Sequence, residues 1–235
     1  MIVYGKNAVM EILKSHKKVI KLFITKNNER MIEPYLKDID KVIVMDNNKL
    51  VKEYGDKTQG IVAEIYDYQY KNYDKVISSL KDKDNVTIVM LDGLEDPHNL
   101  GAILRSADAT KTDAIIIPKN RSVRLNETVA KVSTGAIEYV DVIEVTNLVN
   151  TIKNLKDNGY WIIGVELDGN VDYRAQDYHG KIVVIIGSEG KGISKLVKDN
   201  CDFLVNIPMY GKVNSLNASV STGIILYQIL TNRGE

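Results

Sequence analysis

Cysteine is nearly absent: Cys201 is the only one in 235 residues. One thiol excludes an internal disulfide framework and fits a reducing compartment. Within "KDNCDFLV", just ahead of an apolar run, Cys201 reads as a packing residue rather than a nucleophile. Histidine is scarce too. His16, His98 and His179 share no metal-ligand spacing, so no metal is expected. No stretch approaches the ~18 apolar residues of a membrane span. "MIVYGKNAVMEILKS" lacks the basic start and apolar core of a signal peptide, and the expected location is the cytoplasm. Net charge is missing as well, since 31 basic and 31 acidic residues cancel. Global charge therefore does not advertise a polyanionic partner, and any nucleic-acid contact must come from local patches.

What is present is a regular alternation. Residues 1–66 read as a small α/β unit: helix "GKNAVMEILKS" (5–15), strand "VIKLFIT" (19–25), a short helix "MIEPYLK", strand "KVIVM", helix "NNKLVKEYG" and strand "GIVAEI". Residues 67–84 read as a linker, with "YDYQYKNYDK" rich in tyrosine and charge and a helical "VISSLKDKD" after it. The tyrosines suit packing on a domain face better than base stacking. Residues 85–235 form the larger domain. Its short β-branched runs are the mark of buried parallel strands: "VTIVMLD" (86–92), "AIIIP" (114–118), "YVDVIEV" (139–145), "WIIGVEL" (161–167), "KIVVIIG" (181–187) and "FLVNIP" (203–208). Helical segments separate them, so a mostly parallel, doubly wound sheet is expected.

Ligands of such sheets sit beyond the carboxyl ends of the strands. That rule selects "LDGLEDPHNLGAILRSADA", "GSEGKGIS" and "PMYGKVNSLNAS", all polar, glycine-bearing and leading into helices. Familiar motifs fail on them. "GSEGKGIS" is neither G-x-x-x-x-G-K-[ST] nor G-x-G-x-x-G, and no G-x-S-x-G elbow occurs. "SEGK" matches S-x-x-K, but no K-T-G strand follows "SLN".

The three segments, in this order and spacing, resemble the three motifs of the SpoU (TrmH-like) RNA 2′-O-ribose methyltransferases over roughly residues 85–232. "YGKNAVMEIL" and "TQGIVAEI" resemble the small RNA-binding domain, similar to a ribosomal-protein fold, of the RlmB-like subgroup, with Thr58 where histidine is common. The resemblance implies a trefoil-knotted (SPOUT) catalytic domain, S-adenosyl-L-methionine as methyl donor, a homodimer, and methylation of a guanosine in 23S rRNA. A tRNA ribose methyltransferase, or a non-catalytic RNA-binding assembly factor, is the alternative.

Transfer of a methyl group to a ribose hydroxyl needs an in-line arrangement and help in removing a proton. The resemblance places Asn99, Arg105, Glu189, Ser215 and Asn217 in the catalytic site. A guanidinium is too weak an acid to serve as an ordinary base, so Arg105 is expected to position the hydroxyl and the phosphate. Asn99 also suits an N-cap, and Glu189 is expected to orient Arg105. Asn217 and Ser219 suit capping of the helix "ASVSTGIILYQIL". The family's cofactor contacts fall on Gly187, Ile207 and Leu216 through the backbone, with Met209 and Gly211 lining the loop. Lys119, Arg121, Arg124 and Lys131 form a local basic stretch suited to RNA phosphates, with Lys6, Lys17, Lys18 and Lys21 as a second grip.

Overall fold

The computed structural model describes residues 1–213 and 215–234. Asn214, the first residue of "NSLNAS", lies outside them. Contacts divide the chain into two compact units, Met1–Gln69 with Arg124–Tyr139, and Tyr70–Val123 with Val140–Glu235.

The first unit opens with β1 (Ile2–Tyr4), a strand too short to register as a periodic pattern, and α1 (Lys6–Lys14). Gly5 joins them at φ 96°, a conformation that glycine adopts without penalty. Then follow β2 (Val19–Ile24), α2 (Glu29–Ile32), β3 (Val42–Val44), α3 (Asn47–Tyr54) and β4 (Ile61–Ile65). The sheet order is β1-β4-β2-β3, with β2 and β3 parallel and the other pairs antiparallel. One face of α1 buries Ala8, Val9, Ile12 and Leu13.

The second unit begins with α4 (Tyr73–Ser79), inside the stretch expected to be linker. Val76, Ile77 and Leu80 are buried in its core, so apolar contact makes this helix part of the unit. Next come β5 (Val86–Asp92), α5 (Pro97–Ala109) and β6 (Ala114–Pro118). The chain then re-enters the first unit with α6 (Glu127–Val132). There Glu127 accepts from the Ile2 amide at 2.9 Å, and Glu138 accepts from the Tyr68 hydroxyl at 2.5 Å. Tyr139 donates its hydroxyl to Glu11 at 2.8 Å. A single cut in the sequence therefore does not describe the two units. "YVDVIEV" is correspondingly shortened to β7 (Val142–Val145), because Ala136–Glu138 forms a 3-10 turn at this docking.

The remaining elements are α7 (Leu148–Asp157), β8 (Trp161–Val165), β9 (Val171–Asp172), β10 (Lys181–Gly187), α8 (Lys195–Lys198), β11 (Phe203–Asn206) and α9 (Ala218–Arg233). All seven strands of this unit are parallel, in the order β7-β6-β5-β10-β8-β11-β9. β5 and β10 are buried along nearly their whole length, as expected of central strands covered on both faces. The chain runs outward from β5 through β6 and β7, then builds the other half of the sheet. β5 and β10 therefore flank the switch point, where open α/β sheets take their ligands.

Candidate active site

The register of β10 on β5 pairs Gly187 with Asp92, so both strands end at one level. Asp92 accepts from the Ser194 amide at 2.7 Å and ties the two following segments together. Asp96, not Asn99, caps α5, accepting from the His98 amide at 2.8 Å ahead of Pro97. The expected capping role of Asn99 is thereby corrected: it lies one turn into the helix, and its side chain is free to point elsewhere.

That side chain is 5% exposed and meets two others. Asn99 Nδ2 donates to Glu189 Oε1 at 2.9 Å. Asn217 Nδ2 donates to the same oxygen at 2.6 Å and to Asn99 Oδ1 at 2.9 Å. Asn217 Oδ1 meanwhile accepts from the Ser219 amide at 2.9 Å and the Ser219 hydroxyl at 2.6 Å, capping α9. One side chain thus performs both duties expected around "NSLNAS". Its amide nitrogen joins the triangle and its oxygen closes the helix. Ser219 is a donor to that cap rather than a second cap. The triangle draws on the ends of β10, α5 and α9.

Arg105 stands two turns along α5 from Asn99, exposed. Among the described residues it makes no hydrogen bond or ion pair. Glu189 does not orient it, because Oε1 is taken by the two asparagines; Oε2 has no partner among the described residues. His98 is exposed and absent from the triangle.

Beside the triangle lies a cavity of about 400 Å³, within the ~300–1,000 Å³ range of small-molecule sites. Gly187, Ile207, Met209, Ser215 and Leu216 all line it, as does Glu189. Gly211 does not: it is exposed in the loop beyond, with nothing within 4 Å of where a Cβ would stand. The absence of a side chain at Gly187 is structural, since a Cβ there would overlap Gly192 and the Ile193 nitrogen. The peptide groups of Ile207 and Leu216 make no hydrogen bond among the described residues, leaving donors and acceptors at the cavity for a flat heterocycle. These features fit an adenosyl group: an open slot, a glycine in its wall and backbone polar groups without partners among the described residues.

Several lining residues were missed from the sequence, among them one carboxylate. Glu166, just past β8, accepts from the Ile193 amide and packs against Gly192, whose φ is 65°. Ser188 and Gly192 exchange backbone hydrogen bonds of 3.1 and 3.0 Å, so the "GSEGKG" turn is closed and pinned by this carboxylate. The strand-end rule, applied to "WIIGVEL" as well, points to it.

The basic residues are divided between the two units. Lys119 and Arg121 are exposed beyond the carboxyl end of β6 in the second unit, whereas Arg124 and Lys131 belong to the first. Lys131 is engaged, its ammonium 4.5 Å over the Tyr4 ring and 3.1 Å from the Tyr4 hydroxyl. Lys17 is held by Glu138 at 3.6 Å and by the Tyr68 ring at 3.2 Å, and burial depresses its pKa. Lys21 pairs with Glu64 at 2.8 Å. Lys6 and Lys18 remain exposed. Of the tyrosines, Tyr68 is held between Lys17 and Glu138, and Tyr66 is 60% exposed. No helix is long and apolar enough to cross a membrane, and no cluster of metal-ligating side chains occurs among the described residues.

Residues 86–227 match the SpoU rRNA Methylase family, and residues 2–71 match the RNA 2′-O ribose methyltransferase substrate binding domain. A Staphylococcus saprophyticus protein bearing the name TrmH family tRNA/rRNA methyltransferase is 46% identical over 239 residues, covering 99% of this chain and 96% of its own. Among solved structures, the SpoU methyltransferase AviRb from Streptomyces viridochromogenes, in complex with AdoMet, superposes with a TM-score of 0.82 at 22% identity, over 100% of this chain and 91% of that one. An AdoMet-bound rRNA methyltransferase from Sinorhizobium meliloti gives 0.82 at 23% identity, over 98% and 86%.

Proposed function

Because the chain belongs to the SpoU (TrmH) family of RNA 2′-O-ribose methyltransferases, we propose that it uses S-adenosyl-L-methionine to methylate a ribose hydroxyl of 23S rRNA, most specifically of a guanosine. The observation that carries the cofactor reading is the cavity itself, with peptide groups at Ile207 and Leu216 that have no partner among the described residues and the side-chain-free Gly187 on its wall. When bound there, the cofactor supplies an electrophilic methyl group on a sulfonium, which needs no metal. The rRNA substrate is supported by the RlmB-like resemblance of the first 70 residues. A tRNA substrate is the second reading, because the Staphylococcus relative's name covers both RNAs.

The chain's own contribution is positioning. Asn99, Glu189 and Asn217 lock the turn between Ser215 and α9 against the ends of β5 and β10. Ser215 and Glu189, whose Oε2 has no partner among the described residues, are the proposed contacts for incoming substrate. Arg105, always charged and without a partner among the described residues, is the proposed holder of a phosphate next to the reacting ribose and the group that would orient its 2′-hydroxyl. Lys119 and Arg121 offer further phosphate contacts, whose contribution falls with salt.

α9 presents Val220 and Tyr227, 49% and 57% exposed, at a spacing of seven residues and hence on one face. A second copy of the chain is the proposed cover, in a cytoplasmic homodimer, and the trefoil knot of the family is the proposed topology of the second unit. Methyl transfer from labelled cofactor to 23S and tRNA transcripts tests the substrate, and sedimentation tests the dimer. Transfer to tRNA alone would overturn the rRNA reading. Calorimetry without detectable cofactor binding would favour an assembly factor.

A further inference from the structure

Glu166 is a carboxylate in the cavity wall that no step of the chemistry uses. Its Oε1 is committed to the Ile193 amide. Its Oε2 has no hydrogen bond, and the carboxylate no ion pair, among the described residues. The neighbouring Lys198 is taken by Asp168 at 2.6 Å. A carboxylate on a cavity wall, held by one oxygen and with no hydrogen bond to the other among the described residues, is an acceptor waiting for donors. We propose, resting on the cofactor reading above, that Glu166 recognises the ribose diol of the bound adenosyl group.

Two donors on S-adenosyl-L-methionine fit a carboxylate: the vicinal ribose hydroxyls and the α-ammonium. Position in the fold selects the first. Glu166 packs against Gly192, and Gly192 packs against Gly187, so the carboxylate backs onto the wall assigned to adenine. The Asn99–Glu189–Asn217 triangle marks the side where the methyl group must sit. In the molecule the ribose lies between adenine and sulfonium, whereas the ammonium lies beyond the sulfonium, farther from adenine. An acidic side chain reading a ribose diol from a strand end is also a recurrent solution in α/β nucleotide sites. Glu166 stays connected to the turn it would serve, because the same carboxylate fixes Ile193 and thereby the Ser188–Gly192 loop.

The test is calorimetry with three ligands: S-adenosylhomocysteine, 5′-methylthioadenosine, which keeps the ribose but has no ammonium, and 2′-deoxy-5′-methylthioadenosine. The variant is Glu166→Gln, which keeps an acceptor toward Ile193. The wild type should bind the deoxy analogue about tenfold more weakly than 5′-methylthioadenosine, the ratio expected for one lost hydrogen bond to a charged acceptor. Glu166→Gln should weaken S-adenosylhomocysteine and 5′-methylthioadenosine by a similar factor and lose the discrimination against the deoxy analogue. Weakening of S-adenosylhomocysteine alone would assign the carboxylate to the ammonium and overturn the proposal. So would equal wild-type affinity for the two methylthioadenosines, a measurement that does not depend on the variant's folding. Wild-type protein that binds none of the three would overturn the cofactor reading itself.

Discussion

Replacing Asn217 by aspartate tests the triangle at its centre. The substitution keeps the oxygen that caps α9 and adds a negative charge at a helix N-terminus, worth about 0.3–1 kcal/mol in its favour. It also turns the Nδ2 donor, 2.6 Å from Glu189 Oε1, into an oxygen. Two donated hydrogen bonds are lost, about 0.5–1.5 kcal/mol each. Two carboxylates with charge centres about 4 Å apart repel by about 1 kcal/mol in water and about 4 at an effective dielectric constant of 20. Glu189 and Asn217 are both exposed, so the low end applies. Together these terms make the variant about 2–3 kcal/mol less stable than wild type at pH 8, a drop in Tm of about 4–12 °C for a protein of this size. The deficit should shrink on acidification. When the folded variant shares a proton between residues 189 and 217, it binds more protons than the unfolded chain, and its stability relative to wild type rises as pH falls toward 5. Asn217→Ala, which loses the cap and both bonds without adding charge, should show a deficit that does not vary with pH. Thermal unfolding of the three proteins at pH 8 and pH 5 decides the matter. An aspartate variant as stable as wild type at pH 8, or one whose deficit is the same at both values, would refute the placement of Glu189 against Asn217.

Three further outcomes are expected. Arg105→Ala should lose methyl transfer by two orders of magnitude or more while melting and binding cofactor as wild type does, since Arg105 has no partner among the described residues; turnover and calorimetry on one preparation check this. Gly187→Ala should cost about 1–3 kcal/mol of stability and abolish measurable cofactor binding, because the added methyl meets the Gly192–Ile193 backbone rather than a movable side chain; unchanged affinity would remove Gly187 from the cavity wall. Burial pushes the Cys201 thiol up to about 12, so its thiolate fraction at pH 8 is about a thousandfold below that of an ordinary thiol. Iodoacetamide should label it in the native protein far more slowly than after unfolding in urea, as followed by mass spectrometry.

Much of this was legible in the order of residues. Uninterrupted β-branched runs such as "KIVVIIG" and "VTIVMLD" have no solvent-facing alternation, so they had to be central parallel strands, and that is where β10 and β5 lie. The strand-end rule then placed the polar, glycine-bearing segments at one rim. Glu189, Asn99 and Asn217 do converge there, although the first two are 90 residues apart. Strand adjacency was not legible. Pattern alone does not say that β10 inserts between β5 and β8, yet that insertion sets Asp92 beside Gly187. Nor did composition reveal that residues 124–139 leave the larger unit. Their docking rests on individual pairs, such as Glu127 with the Ile2 amide and Glu138 with Tyr68. β1 and β9, three and two residues long, carry too few positions for any period to show.

The sequence by itself determined what kind of protein this is: an α/β chain with a small leading unit, a parallel sheet and three polar segments that resemble the motifs of the SpoU family. Hydrophobic periodicity and turn chemistry are local, so they are written along the chain. Tertiary structure alone decided how each polar group spends its hydrogen bonds. It gave Asn217 two duties at once, freed Asn99 by handing the cap to Asp96, left Arg105 without a partner among the described residues, and brought Glu166 from an unremarked strand end into the cavity wall. A donor's partner is fixed by geometry within about 3 Å, and only the folded chain sets distances on that scale between residues far apart in sequence.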